Sequence, residues 1–468
     1  MNRILGFDIG STWTKAALFD VGAHCPSVLR RAAASTTQED LAEAVTRLAR
    51  ELLDLAPDAA VLPALAETPL YAVSSAKGGL SIAAIGIVPD LTARVARLAA
   101  ASAGGRIAAH HCYRLGSEQV TALELENPDI VLFCGGTDGG NEGFVRANAQ
   151  ALARSSLDAE VVYAGNASMR DEVREILRTK RLTIVANAMP EVGALDIEPA
   201  RQAIRQIYIG TIVEGRGLAR VRELAASDIR PTPLAVFELL AVLAAGGREW
   251  TDTVVIDMGG ATTDVYSHTT SFHGEEGWVL RGIREPDLTR TVEGDLGMRV
   301  SALSAWQTGS QYIRQRLGED MTAAEAWVRR AARHTDMLPS TGEESAFDDL
   351  LAEACLFHAL LRHAGTVEET YTASGKVRVQ RGKDLRGVRR IISSGGFLSR
   401  RGSDSPVRRA LTAARSHVAE RTGAASLLPE NPEIQADSLY LVTLLGAIAA
   451  AHPEAARDLA AMEGHTHA

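Results

Sequence analysis

The chain has 468 residues, 46% of them hydrophobic and 23% charged, with 49 basic against 58 acidic side chains and a net charge of −9. That length exceeds what one hydrophobic core fills, so two or three domains are expected and a small binding module is excluded. The acidic balance argues against nucleic acid or an anionic membrane as partner, because both demand a concentrated positive field.

Residues 4–20 read as a β-hairpin, two β-runs around the small polar turn Gly10-Ser11-Thr12. A third β-run covers 28–34, a helix 37–55, and strands 71–74 and 82–88. From 89 to about 213, helical patterns alternate with short apolar runs at 106–110, 130–134, 161–164 and 182–186, which predicts a parallel sheet covered on both faces. Part of that sheet is expected to complete the first lobe and the rest to form an inserted subdomain. Thr232 as cap, Pro233 in the first turn and a closing Gly246-Gly247 frame an apolar helix near a lobe boundary. Residues 253–267 repeat the grammar of the first hairpin, so two related lobes are predicted. A mostly helical stretch (300–363), a strand and turn at 390–398, and an apolar helix from Asp437 complete the second lobe. The expected divisions are therefore 1–88, 89–213, 214–250, 251–452 and a loosely ordered tail, 453–468.

Four well-separated cysteines, Cys25, Cys112, Cys134 and Cys355, encode no zinc or iron–sulfur motif. The N-terminus lacks a signal-peptide pattern, and the longest apolar stretch, 438–451, falls short of the ~20 residues that span a bilayer. A cytoplasmic protein is expected.

The chemistry concentrates in the two hairpins. A polyphosphate needs backbone amides aimed at its oxygens, a cation, and a carboxylate holding hydrated magnesium. Asp8, Gly10, Ser11, Thr12 and Lys15 supply that set once; Asp257, Gly259, Gly260, Thr262, Thr263 and Asp264 supply the amides and carboxylates again. Facing each other, the two turns would clamp a triphosphate, with Asp8, Asp257 and Asp264 as metal carboxylates. Gly395-Gly396 at the end of a β-run suits a backbone lying flat against a base or ribose, although a plain strand-to-helix turn explains it equally well. Glu293 and Asp295 fit either a cleft-lining, water-orienting role or loop capping. The glycines and Asn141 within 135–141 could form a further anion-binding turn. Cys134 reads as a packed strand cysteine, and adjacent His110 and His111 face opposite sides of a strand. Lys77 reads as a solvated turn residue, and His465 and His467 lie in the tail.

FDIGSTWTK, IDMGGATTD and IISSGGFL resemble, in order, the phosphate 1, phosphate 2 and adenosine motifs of the actin, Hsp70 and sugar-kinase ATPase superfamily. The resemblance implies two RNase-H-like lobes hinged around Mg-ATP, an α/β fold with an inserted α/β subdomain in the first half, and Gly446 where the lobes approach. Asp8 and Asp257 would then be metal and water-positioning carboxylates. FCGGTDGGN, VVYAGN, NAMPEVGALDIEPAR, PTPLAVFELL and TVEGDLGMR are similar to the glutamate mutase accessory protein family, MutL or GlmL. That likeness implies an ATP-driven reactivating factor, a chaperone that frees damaged cobalamin from an adenosylcobalamin-dependent mutase such as glutamate mutase or D-ornithine aminomutase. The partner would be a mutase subunit, with a small second reactivase subunit or a homodimer both open. The alternative on the same fold is a small-molecule kinase.

Overall fold

In the computed structural model, which describes residues 2–463 except 23–24, 38, 76–79, 213–216 and 374, four sheets organise the chain. The strands are β1 (Arg3–Ile9), β2 (Trp13–Asp20), β3 (Ser27–Ser35), β4 (Leu70–Ser74), β5 (Ser81–Ile85), β6 (Arg106–His111), β7 (Ile130–Phe133), β8 (Glu160–Tyr163), β9 (Leu182–Ile184) and β10 (Arg230–Pro231). They continue as β11 (Thr253–Met258), β12 (Thr263–His268), β13 (Trp278–Arg281), β14 (Leu288–Glu293), β15 (Thr366–Thr372), β16 (Gly375–Arg381), β17 (Arg390–Ser394), β18 (Ala425–Ser426) and β19 (Glu433–Ala436).

The first sheet has the order β10-β4-β1-β2-β3 and the second β14-β12-β11-β17-β19. In each, the opening hairpin and the third strand are antiparallel, and the remaining two strands add in parallel beside the first. The two lobes thus share one RNase-H-like topology. Their central strands, β1 and β11, are apolar and almost wholly buried, as strands covered on both faces must be.

A third sheet, β6-β5-β7-β8-β9, is wholly parallel. It corrects the expected division at residue 88, because β5 belongs to this sheet and not to the first lobe. None of its strands completes that lobe; the two-residue β10 does. The sheet still shares a core with the lobe, since Leu5 and Phe7 fall in one buried cluster with Ile82 and Ile130. The fourth sheet, β13-β16-β15-β18, flanks the second lobe and was not expected from the pattern.

After β10 comes the helix Thr232–Gly246, and after β19 its counterpart, Leu441–Ala449. They pack together between the lobes, in a core that joins Ile4 and Phe19 to Val255 and Tyr266. A Cβ at Gly446 would stand 3.1 Å from the backbone of Ala235, so a larger residue here would push the two helices apart by a few tenths of an ångström. Residues 453–463, expected to be loosely ordered, form the helix Pro453–Glu463: Ala456, Leu459 and Ala460 repeat at helical spacing and bury in the same core. No helix among the described residues is long and apolar enough to cross a membrane.

Candidate functional site

A cleft of about 350 Å³ opens between the lobes, and both hairpin turns line it. Asp8, Gly10, Ser11, Thr12 and Lys15 form one wall, and Asp257, Gly259, Gly260, Thr262 and Asp264 the other. The turns close alike: the Gly10 amide donates to Trp13 O at 3.1 Å and the Gly259 amide to Thr262 O at 2.8 Å. Register makes Asp8 the partner of Lys15 and Asp257 the partner of Asp264.

Gly396, Phe397 and Arg400 line the cleft as well, and a Cβ at Gly396 would meet nothing within 4 Å, leaving room for a flat ligand. Gly395 does not line it. With φ +102° and Met258 O only 2.1 Å from any added Cβ, this glycine lets β17 turn into the helix Gly396–Arg401 beside β11, which is a shaping role. Thr263 also points elsewhere, donating its hydroxyl to Leu296 O at 2.7 Å.

Asp8 is almost fully buried. Its Oδ1 accepts the Thr232 hydroxyl at 2.9 Å and its Oδ2 the Tyr440 hydroxyl at 3.0 Å. Thr232 therefore spends on Asp8 the hydroxyl expected to cap its helix, whose N-cap is Pro231. The Lys15 ammonium stands 3.4 Å from the centroid of the Tyr440 ring. Burial lowers the pKa of Lys15, and the charges of Asp8, Asp257 and Asp437 oppose that shift. Asp257 is partly open to the cleft yet surrounded by protein. Burial first, then the neighbouring carboxylates of Asp264 and Asp8, push its pKa up to about 7 against the pull of Lys15.

Two expected carboxylates are placed otherwise. Asp264 borders the cleft, but its Oδ1 accepts from Arg290 Nη2 at 2.6 Å and Nε at 3.1 Å, and its Oδ2 accepts the Thr262 hydroxyl at 3.0 Å. A carboxylate so engaged is a structural partner of a buried guanidinium rather than an open metal ligand. Glu293 lies outside the cleft, in the wall of a neighbouring cavity of about 680 Å³, where Arg362 donates to it at 2.6 Å and also binds Asp295. Burial raises the pKa of Glu293. The shared arginine lies 69 and 67 residues from Glu293 and Asp295, so no local pattern shows it.

A magnesium nucleotide fits this donor set in one respect and is constrained in another. Paired turns and a half-buried lysine suit phosphates, and two cleft-facing aspartates suit a hydrated cation. Among the described residues, no three His, Cys, Asp or Glu side chains gather into a metal cage, so an ion here would depend on Asp8 and Asp257 together with ligand oxygens and water. Sequence reasoning missed Tyr440, Arg106, Arg290 and Arg400 as cleft residues. Tyr440 had one weak signal, its position just ahead of the apolar closing helix.

A family model described as MutL protein matches residues 4–463. The chain belongs to that family. It is 36% identical to Protein MutL of Clostridium tetanomorphum over 463 residues, 97% of this chain and 98% of the relative. Among solved structures it is similar to a nucleotide-free diol dehydratase-reactivating factor (12% identity, 97% of this chain and 100% of that one, TM-score 0.34). It is likewise similar to a glycerol dehydratase reactivase (12%, 96% and 99%, 0.33) and to xylulose kinase from Rhodospirillum rubrum (14%, 99% and 99%, 0.30). These structural likenesses are too distant to carry an activity.

Three of the phrases that resemble the family meet at the carboxyl ends of the parallel sheet. The Gly139 amide donates to Asn166 Oδ1 at 2.9 Å, and Asn187 Nδ2 donates to Gly136 O at 3.1 Å and to Asp138 Oδ1 at 2.8 Å. The Gly140 amide turns back to Thr137 O. The turn within 135–141 thus spends polar groups on its own neighbours and does not line the cleft. Cys134 is buried, and burial pushes its thiol up to about 12, which fits packing rather than nucleophilic chemistry. Lys77, His465 and His467 lie outside the described residues.

Proposed function

We propose that this MutL family chain is an ATP-dependent reactivating factor, a molecular chaperone that releases damaged cobalamin from an adenosylcobalamin-dependent mutase of the glutamate mutase or D-ornithine aminomutase kind. The observation that carries the reading is the convergence of two like hairpin turns, from lobes of like topology, on one cleft. Bound Mg-ATP supplies the phosphoanhydride whose cleavage drives the cycle. Asp8, oriented by Thr232 and Tyr440, and Asp257 hold the hydrated ion and position water. Lys15 and the turn amides hold phosphate, while Gly396 and Phe397 face the nucleoside. The two helices between the lobes form the hinge, and their contact at Gly446 allows closure. A chaperone of this kind needs partner affinity that differs between nucleotide states by several kcal/mol.

The test is direct. Mutase inactivated by oxygen or glycerol recovers only when this protein, ATP, magnesium and fresh adenosylcobalamin are all present, and Asp8→Ala and Asp257→Ala abolish both recovery and hydrolysis while the fold persists. Recovery without ATP, or full hydrolysis by both variants, overturns the reading. A small-molecule kinase is favoured by one observation, the 680 Å³ cavity adjoining the cleft, which is large enough for a second substrate. ATP-dependent phosphorylation of a metabolite, without mutase recovery, would select it.

A further inference from the structure

Among the described residues, Arg106 is the one residue of the parallel sheet that lines the nucleotide cleft, and it lines the neighbouring 680 Å³ cavity too. It opens β6, an edge strand of its sheet, opposite β14, an edge strand of the second lobe.

Four arginines border the cleft. Arg290 is committed to Asp264 and to the carbonyls of Ala101 (2.6 Å) and Gly105 (3.3 Å). Arg299 is committed to Asp348. Arg400 belongs to the helix that follows Gly395, on the nucleoside side. Arg106 stands with Arg290 on the other side, half-buried, and its guanidinium has no hydrogen bond or ion pair among the described residues. Its stem packs on the backbone of the second lobe. It lies over Gly294, where an added Cβ would come within 2.9 Å of Arg106 Cδ.

The backbone beneath it is tied to the second turn. Thr262 donates to Asp264, Asp264 accepts from Arg290, and Arg290 donates to the carbonyl of Gly105, the residue before Arg106. A planar guanidinium whose stem packs on Gly294 and which has no counter-ion among the described residues, in a cleft walled by two anion-suited turns, matches the geometry of a phosphate. We propose that Arg106 contacts the terminal phosphate of the bound nucleoside triphosphate, so that the parallel sheet, and not only the two lobes, distinguishes triphosphate from diphosphate. This rests on the nucleotide reading above. It adds a route out of the cleft: loss of that phosphate frees β6 and alters the wall that β6 shares with the larger cavity.

Calorimetry on the full chain with Mg-ATP and Mg-ADP tests it. Arg106→Gln is expected to weaken ATP binding ~10- to 100-fold, as loss of a charge-assisted pair of bonds would, and to leave ADP binding within about twofold. Arg106→Lys falls between. Gly294→Ala, which leaves the guanidinium intact but pushes its stem aside, weakens ATP in the same sense. Hydrogen exchange across 106–111 slows with ATP and not with ADP in the unaltered chain, and Arg106→Gln removes that difference. Equal weakening of both nucleotides by Arg106→Gln, or no change in either, overturns the inference alone. An unaltered chain that binds neither nucleotide overturns the reading of the cleft and this inference with it.

Discussion

In the first lobe the residue paired with the strand-end aspartate is Lys15, and in the second it is Asp264. The two hairpins share strand order, register and turn closure, so the duplicated scaffold alone would build two equivalent walls. The side chains break that equivalence. The first wall keeps its cation in the cleft, stacked on Tyr440 and flanked by Asp8 and Asp257. The second places a carboxylate where the lysine would be and neutralises it from behind with Arg290, whose remaining N–H groups reach the chain leading into β6. One cation is thus available to a ligand while the other holds the architecture.

Removing each cation should therefore have opposite consequences. Arg290→Met leaves Asp264 buried without its partner and strips donors from Ala101 and Gly105, which is expected to cost ~3–5 kcal/mol of stability. A denaturation midpoint close to that of the unaltered chain would refute the structural role. Lys15→Met is expected to leave the fold nearly as stable, because burial already opposes the charge of this ammonium. Hydrolysis should nonetheless fall by ~100-fold or more, the usual scale for losing a charge aimed at a transition-state oxyanion. If Lys15→Met unfolds the protein and Arg290→Met merely slows it, the comparison is inverted.

The aspartates sharpen the contrast further. The unfolded chain releases the Asp257 proton near the ordinary carboxylate value, whereas the folded, nucleotide-free chain holds it to about 7. Between those values the folded state binds more protons, so stability falls as pH rises towards 7 and levels off above. Asp257→Asn removes that penalty: the variant gains ~1–3 kcal/mol at pH 8, shows no difference near pH 4, and loses hydrolysis. Urea titrations at the two pH values measure it, and an unchanged slope would sink the assignment. Asp8→Asn should show no such gain, since its oxygens already accept two hydroxyl hydrogens that an amide cannot both receive.

What could be read from the chain and what could not divides along sequence distance. The turns were legible because glycine, serine and threonine between β-formers encode a hairpin within a dozen residues. The partners of those turns were not. Thr232 and Tyr440 reach Asp8 from 224 and 432 residues away, and the left-handed backbone at Tyr440 (φ 55°), which orients its ring, has no local signature. The two-residue β10 carries too little pattern to reveal that it, rather than a strand of the alternating segment, completes the first sheet. Position near the terminus suggests a loose tail at Pro453–Glu463, yet the apolar spacing of Ala456, Leu459 and Ala460 makes it a docked helix.

Glu293 supplies the smallest effect and the finest test. Two acids beside glycines fit either water orientation or loop capping, and Glu293 faces the larger cavity, where it shares Arg362 with Asp295. Glu293→Gln removes one charge from that pair while Arg362 keeps Asp295, so the expected stability change is below ~1 kcal/mol, as for a partly exposed ion pair. Hydrolysis should stay within about twofold, against the ~100-fold losses expected across the cleft. A large fall in turnover with unaltered ATP affinity would instead bring Glu293 into the reaction. It would also require β14 to rotate its edge towards the turns when the lobes close, which hydrogen exchange across 288–293 in the presence of nucleotide would register.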